Sequence, residues 1–256
     1  MGLIGGLILL AVAWVGIELG VISARAHDTV ATFTVLVGVF ATVAAATRSL
    51  PAQNVWLAIV VIVLIGTGVL ALDAVFGIPF GQMRYMDSAG QRVFGLVPWP
   101  MPLVWVVVVL NARGVARLIM RPWRKARNYG FWVMGIAAGL AALFDLGLEV
   151  FASRLSKFWV WQTRPNLPTW YGAPIVNLFG WAMATLLILG FATPVLVNKR
   201  SGGQHHRTGV QPLIIWLVLN SLFAGAACAH GLWFGAAVIA VANLAVTILA
   251  VRGAMW

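Results

Sequence analysis

VWLAIVVIVLIGTGVLALDAVF, residues 55–76, holds one ionisable side chain, Asp73, in twenty-two positions. An α-helix needs about 20 such residues to cross a hydrocarbon core of about 30 Å. A strand of a membrane barrel would alternate polar and apolar residues over about ten positions, and residues 55–76 do not alternate. IVNLFGWAMATLLILGFATPVLV, residues 175–197, repeats the pattern with no charge at all. In lipid, backbone N–H and C=O groups must be satisfied inside the helix or a closed sheet. Both runs therefore read as membrane-spanning helices.

Working outward, similar runs give eight candidate spans: roughly 3–24, 30–47, 55–76, 101–120, 131–151, 175–197, 211–229 and 231–251. His230-Gly231 alone separates the last two, so seven spans is the alternative count. The fold class is all-α, a polytopic integral membrane helical bundle, and residues 1–256 form a single transmembrane domain. Composition agrees, because 9% of the residues are charged where a soluble domain carries about 25%. The first twenty residues have no positive n-region and exceed a signal h-region in length, so they read as a retained first helix.

A formal charge of +11 invites a nucleic-acid reading, but the cations sit in short loops between apolar runs, where Lys and Arg set membrane orientation. No nucleic-acid partner is expected. The densest basic segments, 121–128 and 198–210, are an even number of spans apart and fall on one side. That side is read as cytoplasmic, with both termini, in the cell's inner (plasma) membrane. Loops 77–100 and 152–174 then face outward. Both are rich in Gly, Pro and aromatic residues, a composition shared by interfacial belts and by lids over cavities; the predicted organisation takes them as a lid.

The six acids are Glu18, Asp28, Asp73, Asp87, Asp145 and Glu149, and they collect toward the outer side. An Asp at a helix centre costs about 2.5–3.5 kcal/mol on insertion scales, so acids retained there face a cavity or a partner. Asp145 and Glu149 are four residues apart, on one helix face. Two carboxyls held close in low dielectric cannot both ionise easily, and the one that keeps its proton is poised to donate it. A structural hydrogen bond, or an ion pair with Arg84, Arg92 or Arg154, is the competing explanation. Other chemistries lack their residues. His27, His205, His206 and His230 form no metal-binding set; Lys125, Lys157 and Lys199 all lie in loops, which removes a retinal-type Schiff base. No GxGxxG cradle is present, and paired Asp-rich clusters for Mg²⁺ and diphosphate are missing. No metal and no cofactor is called for. Cys228 is the only cysteine, so no intramolecular disulfide forms.

Two blocks carry more information than hydropathy requires. GIPFGQMRY (residues 77–85) precedes GLVPWPMPLVW (95–105), and Asp145 with Glu149 precedes WVW (159–161) and WYGAPIVNLFGW (170–181). Together these blocks resemble the CruF-type carotenoid 1,2-hydratases, a family of carotenoid-biosynthesis membrane proteins that includes γ-carotene 1′,2′-hydratases and bisanhydrobacterioruberin hydratases. The resemblance covers roughly residues 14–197. It departs at Met83, where the family tends to have Tyr, and at Val150, where Asp-Pro is common.

The resemblance implies addition of water across the terminal C1=C2 bond of an acyclic ψ-end carotenoid dissolved in the bilayer, without a cofactor. In that reading Asp145 is the general acid, Glu149 or Asp73 orients water or takes the proton back, and Glu18 is a further hydrogen-bonding partner. Tyr85, Trp159, Trp161, Trp170 and Tyr171 would face the cation, and Asn177 would hold the attacking water. Phe80 and Trp181 complete the expected substrate contacts. Two alternatives stay open: a non-catalytic carotenoid- or lipid-binding membrane subunit, and a proton-coupled transporter.

Overall fold

The computed structural model describes residues 2–23, 27–162, 167–197 and 209–256, without the side chains of residues 27 and 28. Most of the predicted basic loop 198–210, and residues 163–166 of the second aromatic loop, lie outside the described residues. Eight helices account for the apolar runs: α1 (Gly2–Glu18), α2 (His27–Thr47), α3 (Ala52–Phe76), α4 (Pro100–Ile119), α5 (Tyr129–Glu149), α6 (Val176–Leu196), α7 (Gln211–Ala229) and α8 (Trp233–Ala254). Seven are long and apolar enough to cross a membrane, and α1 is the shorter exception. The last two runs are separate helices, since the amides of His230, Gly231 and Leu232 turn back onto the end of α7. The first run is shorter than its hydropathy predicts. It closes at Glu18, where the amides of Val21 and Ile22 both return to the Gly16 carbonyl.

The bundle is organised around α4. Buried residues make up 78% of the apolar window of α4 but 22% of that of α2, because α4 packs against α2, α3, α5, α7 and α8 together. The most extensive of the other packings are α1 with α2 and α7, α6 with α3 and α5, and α7 with α8. Lipid, not water, is the environment of the outward faces, which display Trp56, Leu64, Phe191 and Leu244.

Among the described residues, the β-structure lies at one end of the bundle. Strand β1 (Met83–Tyr85) follows α3, with β2 (Arg92–Val93) and β3 (Val97–Pro98) as a small hairpin before α4. After α5 come β4 (Trp159–Trp161), β5 (Thr169–Trp170) and β6 (Ala173–Pro174). The two aromatic loops are joined to each other: β1 pairs antiparallel with β4, in register Met83–Trp161, Arg84–Val160 and Tyr85–Trp159. The ladder is extended by Met86 N–H to Phe158 O and Gln162 N–H to Gln82 O. β5 and β6 form a tight hairpin across Tyr171-Gly172, both at positive φ (50° and 98°). Such two-residue turns require left-handed backbone and favour Gly, which explains the YG of the second motif block as turn chemistry.

Between α5 and β4 the helix widens into a π-helical turn, Val150–Leu155. The Val150 amide bonds to Gly147 O, and Leu146 O accepts the Trp170 indole N–H instead, at 2.9 Å. The widened turn thereby re-aims the chain into the loop that returns as β4.

Gly180 of α6 lies against the loop after α3, where a Cβ would sit 2.6 Å from Phe80 Cδ1 and 2.9 Å from Pro79 O. Overpacking of this kind costs about 1–3 kcal/mol. Gly180→Ala is expected to lower the thermal unfolding midpoint in detergent, whereas Gly190→Ala, inside α6 with nothing within 4 Å of its Cβ, should hold or raise it, since Ala favours helix over Gly by about 0.5–1 kcal/mol.

Candidate functional site

The strand-bearing end of the bundle encloses a set of buried polar side chains. Asp145 and Glu149 come from the last turns of α5, Asn177 from the first turn of α6, and Asp73 from the last turn of α3; each is at most 3% exposed. β1 contributes Tyr85, and β4 contributes Trp159 and Trp161. The pairing of β1 with β4 is therefore what lays the two aromatic loops over the carboxyls.

Glu149 is surrounded by donors. Trp159 Nε1 donates to Oε1 and Oε2 at 3.1 and 3.3 Å, Trp161 Nε1 donates to Oε1, and Asn177 Nδ2 reaches Oε2 at 3.4 Å. The same Asn177 amide donates to Asp145 Oδ2 at 2.6 Å. Asp145 Oδ1 has no partner among the described residues, although it is fully buried. One amide thus bridges two carboxyls four residues apart, and every donor in the set is neutral. Of the arginines that could have paired with them, Arg92 donates to Tyr85 O at 2.8 Å, Arg154 donates to Tyr171 O at 2.7 Å, and Arg84 is exposed on β1.

Asp73 plays a more local part. Its Oδ1 accepts the Phe80 N–H at 2.9 Å, closing the loop that follows α3, and its Oδ2 is buried without a partner. Tyr85 feels the charges of both Asp73 and Glu149, and its ring meets Trp159 edge to face at 6.3 Å. Burial, reinforced by those two acids, pushes the Tyr85 phenol above its usual range. Its hydroxyl is a further buried polar group with no partner among the described residues. Beneath lies an aromatic stack in which Trp105 and Trp181 overlap at 4.3 Å, with Phe80 6.2 and 6.0 Å from them.

Other residues singled out in the sequence lie elsewhere. Trp170 turns to Leu146 O and packs on Phe234, while the Tyr171 hydroxyl accepts the Gly235 N–H at 2.9 Å. Both face α8. Glu18 accepts from Trp14 Nε1 at 3.0 Å and lies 2.6 Å from His230 Nε2, so it ties α1 to the α7–α8 turn. The Asp28 side chain lies outside the described residues. No group of three or more His, Cys, Asp or Glu able to hold a metal occurs among the described residues.

An apolar cavity of about 270 Å³ adjoins the acids. Its walls come from α1 (Trp14), α2 (Ala31, Thr34, Gly38), α4 (Met101, Val107), α5 (Phe144, Leu148) and α7 (Phe223), and Asp87, Ser88 and Trp159 lie at its loop end. Phe144 and Leu148 precede Asp145 and Glu149 by one position, so the cavity and the carboxyls occupy neighbouring faces of α5. Trp159 belongs to both, lining the cavity while its N–H holds Glu149. Hydropathy could not reveal this cavity, because the residues lining it are those of any apolar core.

A sequence profile of carotenoid biosynthesis proteins matches residues 30–248. Over 128 residues the chain is 27% identical to the bisanhydrobacterioruberin hydratase of Haloarcula japonica, covering 50% of this chain and 41% of that protein. The match thus spans less than half of that relative's length. No solved structure matches the chain significantly.

The bridging amide is testable alone. Asn177→Leu leaves Asp145 and Glu149 facing each other without it, and a lost bond to a buried polar group costs about 1–3 kcal/mol. A lower thermal midpoint is expected in detergent, with a larger fall for Asn177→Asp, which adds a third carboxyl. An unchanged midpoint for Asn177→Leu would show that the amide does not hold the pair.

Proposed function

Because the chain belongs to the carotenoid biosynthesis protein family, we propose that it is a hydratase adding water across the terminal C1=C2 bond of an acyclic ψ-end carotenoid. Family membership and the hydratase relative support a carotenoid-related role. The observation that carries the finer reading is the unequal hydrogen bonding of the two carboxyls. Indole N–H groups only donate and an ionised carboxylate only accepts, so the donors converging on Glu149 favour its carboxylate form. Asp145 has one bond and one bare oxygen, the pattern expected of the partner that keeps the proton.

The chemistry follows from those states. An isolated alkene is a poor base, so it needs a strong, desolvated acid. The Asp145 proton goes to C2, the π electrons form the new C–H bond, and a tertiary cation is left at C1. Water attacks C1, and the proton it loses passes to the ionised Asp145, directly or by way of Glu149, which restores the acid for the next turnover. Trp159, Trp161 and Tyr85 present π faces that stabilise a nearby cation by up to about 2 kcal/mol each when desolvated. Phe80 and Trp181 support this layer from below. The apolar cavity receives the hydrocarbon, with the reactive end brought against Trp159. The aromatic loops act as its lid, the basic end of the bundle faces the cytoplasm in the inner membrane, and both termini lie there.

A second reading, a carotenoid-binding subunit without turnover, is favoured by one observation: neither Asp145 nor Glu149 lines the cavity. Expression with an acyclic ψ-end carotenoid separates the two. A hydratase yields product heavier by one water, whereas pigment retained unchanged on the purified protein supports the binding subunit.

For the hydratase, loss of the general acid in Asp145→Asn should lower the rate by about 10²–10⁴-fold. Hydration at the wild-type rate would remove Asp145 from that role. Filling the cavity by Ala31→Phe should raise KM more than it lowers kcat. Orientation is checked by impermeant maleimide labelling in a Cys228→Ser background, since Cys228 is itself exposed. A cysteine at Ser88 is expected to react from outside the cell and one at Arg124 only after permeabilisation; the reverse order would invert the topology.

A further inference from the structure

At the end of the bundle opposite the acids, we infer that Arg113 and Arg117 of α4 form a binding site for a phosphate group, supplied by the headgroup of an anionic lipid or by free phosphate. The two arginines are four residues apart, on one helix face, and line a cavity together with Thr42, Ser49, Asn111 and Leu196. Arg113 lies six residues before the last residue of α4, about 9 Å along the axis at helical rise, and so within the membrane-spanning segment.

A guanidinium carries five N–H donors and no acceptor. Among the described residues Arg113 uses one contact, Nη2 to Leu196 O at 2.8 Å, which satisfies a carbonyl left open at the end of α6. That capping bond accounts for part of the fork. The remaining donors form no hydrogen bond among the described residues, and the lining offers them only neutral oxygens. Thr42 Oγ1 already donates to Gly38 O and accepts from Asn111 Nδ2, both at 2.7 Å, and Ser49 Oγ donates to Ala46 O at 3.2 Å.

Among the described residues no Asp or Glu side chain is placed to neutralise the pair. Glu18, Asp73, Asp87, Asp145 and Glu149 all lie at the strand-bearing end, and Asp28 is in the first turn of α2, whose far end carries Thr42 and Ser49 follows it. The segment joining α6 to α7, residues 198–208, contains Lys199, Arg200 and Arg207 but no acid. Arg48, Arg121 and Arg252 add positive charge at the same end. Cations inside a membrane normally find a partner, and two guanidinium forks match the geometry of phosphate oxygens.

The test uses the full chain purified in non-ionic detergent. It is titrated in parallel with short-chain phosphatidylglycerol, a diacylglycerol of the same chain length, and inorganic phosphate. Thermal midpoint and bound mass by native mass spectrometry are read. Stabilisation and a one-to-one adduct with phosphatidylglycerol, absent with diacylglycerol, assign the site to a lipid headgroup; an equal response to inorganic phosphate assigns it to free phosphate. Arg113→Gln/Arg117→Gln should weaken the response at least tenfold. Ala45→Val, which narrows the same cavity and retains both arginines, covers the case in which the double variant does not fold. No response in the native chain, or a full response in either variant, overturns the inference. The readout is ligand binding, so it stands apart from carotenoid hydration.

Discussion

Glu149 is held inside a membrane bundle by indole N–H groups and an amide, with no cation among its hydrogen-bond partners. That choice governs the architecture around it. Neutral donors must be brought in from outside the helix, because the helix's own N–H groups are consumed by its backbone. Trp159 and Trp161 therefore come from a strand, and a strand of three residues needs a partner. The partner is β1, delivered by the other long loop. The π-helical turn after Glu149 starts the chain toward β4, and Asn177 enters from the first turn of α6. Four separate segments meet because one carboxylate lacks a counter-ion.

The helices were legible for a simple reason. A run of about 20 apolar residues has few alternatives in lipid, so α3 and α6 can be read directly from residues 55–76 and 175–197. Helix ends depend on local hydrogen bonding, which hydropathy does not register; α1 stops at Glu18 although its apolar character continues past it. The strands were not legible, since two or three residues are too few to display alternation. VFASRL forms a π-helical turn with a composition that an ordinary helix would also accept.

At the candidate site, the i, i+4 spacing was enough to put Asp145 and Glu149 on one face. WVW was enough to mark an aromatic stretch, though not its N–H groups as the donors for Glu149. The aromatic residues of the second block divide by structure in a way their types do not. Trp159 and Trp161 turn in to the acids, whereas Trp170 and Tyr171 turn to α5 backbone and α8. The difference lies in the β5–β6 hairpin, whose left-handed Tyr171-Gly172 turn sends its side chains to the other side of the loop. Glu18 likewise followed its helix to His230, because α1 packs mainly on α2 and α7.

Trp159 has a consequence for how chemistry and substrate would meet. Its ring lines the apolar cavity and its N–H is bonded to Glu149, so a rigid aromatic plane stands between hydrocarbon and carboxylate. A ligand that shifts the ring must also lengthen or break a hydrogen bond to that carboxylate. The wall of the cavity and a hydrogen bond to Glu149 are joined in one side chain. With the cavity empty, Trp159 keeps its bond to Glu149 and stands between that carboxylate and the hydrocarbon space. Replacing the indole by a ring without the N–H would separate the two functions that Trp159 now joins, keeping the wall while losing the link.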